Sequence, residues 1–130
     1  MQSKTLSVYI KREPDLIYDF VSNLENLPKW ATSFCKSIMK SAEGWTIHTP
    51  QGPMGIRITE KNSMGILDHV VIPVPGIEVS VPMRVVANGA GSEVLFTLFR
   101  RPEMSDDQYA QDTRWVEQDL NSLKRVMEKS

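Results

Sequence analysis

Residues 9–31 read YIKREPDLIYDFVSNLENLPKWA, and the hydrophobic period changes within them. Just upstream, Leu6, Val8 and Ile10 alternate with polar residues, as a strand with one buried face requires. Pro14 then suits the first turn of a helix, where a missing amide hydrogen costs no intrahelical bond. From there Leu16, Ile17, Phe20, Val21 and Leu24 recur at helical spacing. A second, shorter helix is expected over ENLPKWATSF (25–34), interrupted near Pro28 and carrying Trp30. The order so far is strand, helix, short helix.

At the other end, SDDQYAQDTRWVEQDLNSLKRVMEKS (105–130) predicts a long amphipathic helix. Ser105 and Gln108 have capping-box spacing, Met104 and Tyr109 can form a hydrophobic staple, and Asp106 and Asp107 sit where the helix dipole favours negative charge. Tyr109, Thr113, Val116, Leu120, Leu123 and Met127 follow at steps of four and three, so one apolar face is long enough to lie across a sheet.

Between these ends the period is two. Six strand-like runs, CKSIMKSA, GWTIHTP, MGIRITEK, GILDHVVIP, IEVSVPMRVVA and EVLFTLFRR, are separated by turn signals such as PQGP and NGAGS. Successive strands with short turns imply an antiparallel meander. Pro73, Pro75 and Pro82 cannot donate to a ladder, so an edge or a bulge is expected among them. No internal repeat, linker or low-complexity tract interrupts residues 1–130, which read as a single domain.

Composition narrows the function. A net charge of −1 gives no general attraction to nucleic acid or anionic lipid. No apolar run approaches the ~20 residues that span a bilayer, and the first ten residues lack the apolar segment of a signal peptide. A cytoplasmic protein is therefore expected. Cys35 has no second cysteine to pair with and reads as a small buried hydrophobe. His48 and His69 fall in no zinc-binding pattern, so no metal or other cofactor is expected.

The order strand, two helices, six-strand meander and long C-terminal helix, with Asn26, Pro28 and Trp30 forming an N-x-P-x-W element, resembles the helix-grip superfamily. This superfamily is also called START-like, SRPBCC or polyketide cyclase/dehydrase-like, and the chain looks like a small bacterial-type member. The resemblance covers nearly the whole chain. It implies an α+β fold, β-α-α-β6-α, in which a curved antiparallel sheet wraps around the C-terminal helix and leaves a cavity for lipophilic molecules. The family includes lipid and hormone binders, aromatase/cyclases and chaperone-activating domains. No catalytic residue carries over from it by motif.

The residues themselves suggest a site. In GILDHVVIP, period-two geometry sends Leu67, His69 and Val71 to one face and Asp68 to the other, so adjacent Asp68 and His69 do not form a dyad. His69 facing a hollow interior could contact a ligand, act as a catalytic acid-base, or serve as a structural histidine bonded to a backbone carbonyl or a neighbouring side chain. Asp112, and Asp119 seven residues later, lie near one helix face and can reach a cavity rim. His48, Arg57 and Arg84 alternate with bulky apolar residues and are expected outside. The proposed ligand-binding set is Trp30, His69, Met83, Phe96, Asp112 and Trp115, in an interior expected to be rich in aromatics and methionines, including Met39 and Met64.

Three functions fit these features: binding of a small hydrophobic or aromatic molecule, a polyketide cyclase/dehydrase-type reaction with His69 as acid-base, or a protein-interaction module. Ile66, Val70, Ile72 and Val86 on the opposite sheet face add a possible homodimer surface.

Overall fold

A computed structural model describes residues 1–129; the last residue expected in the terminal helix, Ser130, lies outside them. In chain order the elements are β1 (Ser3–Ile10), α1 (Pro14–Ser22), a 3₁₀ turn (Leu24–Asn26), α2 (Leu27–Trp30), β2 (Ser37–Ser41), β3 (Gly44–Thr49), β4 (Gly52–Ile58), β5 (His69–Val74), β6 (Ile77–Val81), β7 (Met83–Asn88), β8 (Gly91–Phe99) and α3 (Asp106–Lys129). Every strand pairing is antiparallel, in the orders β2-β3-β4-β5-β6 and β1-β8-β7. This is the helix-grip α+β architecture, a curved sheet closed over the long α3.

The run 77–87 is two strands, not the single one expected. Pro82 has no amide hydrogen and cannot continue the ladder, so the chain leaves β5 there and pairs with β8 instead. Residues 65–68 make the matching transfer. The Val85 N–H donates to the Gly65 carbonyl (3.0 Å) and the Leu67 N–H to the Met83 carbonyl (2.9 Å), after which His69 enters the ladder between β4 and β6. The two sets of strands are thus stitched together around Leu67, Asp68 and Met83. Gly65 has φ +71°, and a Cβ on it would stand 2.2 Å from the Val85 carbonyl oxygen, so the close approach requires glycine.

Pro14 begins α1 as expected, and Ile17 and Val21 face inward; Leu16 is left at the surface. Pro28 likewise sits in the first turn of α2. The Asn26 side chain donates to the Phe20 carbonyl (3.0 Å), locking the entry to α2, so that Leu27 and Trp30 are buried. At the start of α3 the Ser105 hydroxyl accepts the Gln108 N–H (3.1 Å), and the Arg100 guanidinium pairs with Asp106. Near its end Lys124 donates to the Tyr9 carbonyl (2.8 Å) and Glu128 accepts the Lys11 N–H (2.9 Å), fixing the helix to β1.

Around the C-terminal half of α3 the interior is filled. Leu123 and Met127 pack in one cluster with Ile10, Ile17, Val85 and Val94. Ile10, Ile17, Leu123 and Val94 have no exposed surface, and cutting one of the isoleucines or Leu123 back to alanine costs about 2–5 kcal/mol. The N-terminal half of α3 is different: its inward residues face a cavity. Met39 and Met64, expected inside, are instead exposed: Met39 alternates with Ile38, the β2 residue that packs against the core, and Met64 lies in a surface bend.

Candidate functional site

The cavity has a volume of about 150 Å³ and lies between the sheet and α3. Its floor follows from strand period two. Met54 and Ile56 on β4, His69, Val71 and Pro73 on β5, Val79 and Val81 on β6, and Phe96 and Leu98 on β8 all project to the same side. Its roof follows from helical period: Asp112, Trp115, Val116, Asp119 and Leu120 form one stripe of α3, while Leu27 and Trp30 of α2, with Ala31 just after it, close the side. The lining is mostly apolar, with a few polar groups set into it.

His69 is the polar group on the floor. Its Nδ1 lies 3.1 Å from the Leu67 carbonyl, and its ring meets Phe96 edge to face at 6.0 Å between centroids. Burial pushes the imidazole below its usual pKa, against weaker opposing effects of the Leu67 carbonyl and the Asp68 charge, so the ring is neutral at pH 7. The accessible surface it retains fronts the cavity.

Asp68 turns the other way, as strand geometry requires. Its carboxylate accepts the Met83 N–H (2.8 Å) and two bonds from Arg84 (3.2 and 3.0 Å). The Arg84 guanidinium holds the carboxyl below its ordinary range; burial opposes this, and the Met83 bond adds to it. Asp68 thus secures the junction between β5 and β7 and takes no part in the cavity. His48 is exposed, and Arg57 pairs with Glu78 (3.1 Å) on the outside.

Two carboxylates mark the roof. Burial raises the Asp112 pKa, opposed by the charge of Arg101. Asp119 is 5% exposed and accepts the Ser33 N–H (2.9 Å), which ties α3 to the turn after α2. Burial raises its pKa as well, with the Ser33 and Phe34 bonds and Lys36 acting the other way. The nearby Cys35 thiol is buried, and desolvation with the Asp119 charge drives it up to about 11, so it is protonated and unreactive. Trp30 is buried and its indole N–H finds no acceptor among the described residues.

Of the residues singled out by sequence, Trp30, His69, Phe96, Asp112 and Trp115 come together on the cavity wall. Met83 does not. It points inward from β7, but it is 1% exposed and packed in the filled part of the core, because the break at Pro82 moves it from the β5 side of the sheet to the β8 side. Sequence reasoning passed over Arg101 and Gln51, which lie just beyond the ends of β8 and β3, where alternation stops carrying information. Asp119 was recognisable from its spacing to Asp112, but its bond to Ser33 was not.

Compared with protein-family models the chain matches none, and among curated proteins no match is found. Solved structures do match. The protein XoxI from Bacillus cereus superposes with a TM-score of 0.78 at 18% identity, over 97% of this chain and 95% of that one. The Zhui aromatase/cyclase from Streptomyces sp. R1128 gives 0.77 at 13% identity, over 98% and 94%. The Aha1 dimer from Colwellia psychrerythraea gives 0.74 at 19% identity, over 98% and 97%. At these identities the likeness is one of fold.

Proposed function

We propose that the protein binds a small hydrophobic or aromatic molecule in the cavity between sheet and α3, with Trp30, His69, Phe96, Asp112 and Trp115 against the ligand. The observation that carries this reading is the cavity itself, with its mostly apolar lining and few polar groups. Its volume of about 150 Å³ also sets the scale, since an apolar cavity of that order takes up benzene. A one-ring ligand matches that volume. The test is native mass spectrometry of protein purified from its own host, followed by calorimetric titration with one-ring aromatic compounds. Co-purification or saturable uptake is expected, and failure of both refutes the reading.

A second reading is a cyclase/dehydrase-type enzyme in which His69 moves a proton on a bound carbonyl compound. It is favoured by the neutral imidazole within a largely apolar enclosure, the state a general base needs at pH 7. The His69→Gln variant separates the two. A binder loses about tenfold in affinity, on the order of one hydrogen bond, whereas acid-base catalysis falls by about 10²- to 10⁴-fold. The open cavity argues against an interaction module as the main role. A homodimer through the outer sheet face, where Val86 is exposed and Ile66, Val70 and Ile72 are half-buried, is a separate proposal that analytical ultracentrifugation tests.

A further inference from the structure

The Leu67 carbonyl oxygen can only accept a hydrogen bond, so the proton of the neutral His69 ring belongs on Nδ1, 3.1 Å away. The lone pair is then left on Nε2. No protein donor meets that nitrogen among the described residues, and it is not among the buried polar atoms closed off from solvent, so it is open to the cavity. A purely hydrocarbon ligand would strip water from Nε2 and give nothing back. An anion would meet a lone pair on the floor and the carboxylates of Asp112 and Asp119 on the roof, while Arg101 already pairs with Glu103 (3.1 Å). Flat side chains surround the space: Trp30 and Trp115 on the helices, Phe96 beside the imidazole.

We infer that the ligand is an uncharged one-ring phenol whose hydroxyl donates to His69 Nε2 while its ring lies among Trp30, Phe96 and Trp115. The inference rests on the cavity-binding reading above and names its ligand class. Phenol and toluene have nearly the same shape, which makes them a sharp pair of probes. In a cavity without an acceptor, the buried hydroxyl is penalised and toluene binds about tenfold or more tightly than phenol. With Nε2 available, phenol should bind at least as tightly as toluene.

Calorimetric titration of the full chain with both compounds at pH 7 decides this. Phenol equal to or tighter than toluene, with the phenol-to-toluene affinity ratio dropping about tenfold or more in His69→Phe, is the expected result. Toluene preferred about tenfold by the wild type overturns the phenol assignment and leaves the cavity reading standing. If neither compound binds, the phenol assignment fails, and the cavity reading then stands or falls on whether a small molecule co-purifies. Should His69→Phe not fold, nitrogen-15 NMR of the wild-type histidine replaces it: the free ring must carry its proton on Nδ1, and phenol must shift the Nε2 resonance. A ring protonated on Nε2 overturns the inference.

Discussion

Replacing Asp68 tests whether this residue is structural, as its geometry requires, or a partner of His69. In Asp68→Ala the Met83 N–H loses the acceptor 2.8 Å away, at a point where Pro82 has already interrupted the ladder. An unsatisfied, partly buried amide costs about 1–3 kcal/mol. The Arg84 pair is half exposed, with side-chain exposures of 48% and 38%, and adds little. The loss should therefore be about 2 kcal/mol, or roughly 6–8 °C in the midpoint of a two-state thermal transition for a chain of this size. Asp68→Asn keeps an oxygen for Met83 and should lose less than half as much. The Asp68 carboxyl is held below its ordinary range in the folded state, so its contribution is complete above the unfolded value of about 4 and disappears as pH falls through the depressed folded value. Circular-dichroism melts of the wild type and both variants, at pH 7 and at lower pH, provide the measurement. An alanine variant within 0.5 kcal/mol of wild type (~0.5 kcal/mol being the usual scatter of surface substitutions) would refute the reasoning. So would an asparagine variant as damaged as the alanine one.

Gly65→Ala should destabilise by about 2–4 kcal/mol: the left-handed backbone costs about 1–2 kcal/mol with a Cβ, and the Val85 carbonyl in its way is backbone and cannot swing aside. Urea denaturation checks this, and a loss below about 1 kcal/mol, the left-handed cost alone, would mean that the β5 and β7 segments are not held in this approach. Asp119 behaves oppositely to Asp68. Its folded pKa is raised by burial, so stability from its protonated form is full below about pH 4 and declines as pH rises through the raised value. Asp119→Asn, which can still accept from Ser33, should remove that decline and match or exceed the wild type at pH 7. A series of urea denaturations across pH measures it, and an asparagine variant markedly weaker at pH 7 would show that the charge stabilises the fold.

The fold was legible in the sequence to an unusual depth because its periodicities are long and clean. Leu6, Val8 and Ile10 pair with β8 as a half-buried strand should, and the stripe from Tyr109 to Met127 is the inward face of α3. Cavity residues inside periodic runs of sequence, His69, Phe96 and Trp115, were legible for the same reason. Legibility failed at Pro82, where alternation continues unchanged through Val81, Met83 and Val85 while the pairing partner changes, and Met83 was misplaced as a result. It failed again at strand ends, where Arg101 and Gln51 reach the cavity from segments with no periodic pattern.

Taken alone, the sequence determined which side chains share a face, because the periods of strand and helix are properties of the local backbone. That was enough to separate Asp68 from His69 and to line up Asp112 with Asp119 on α3. Only the tertiary structure decided which faces enclose space and which are packed solid. Around Leu123 and Met127 the same inward face is filled, while around Asp112 and Trp115 it borders a cavity. Whether volume is left over depends on how far the sheet curves and where distant segments such as α2 close against it. A local pattern cannot encode that.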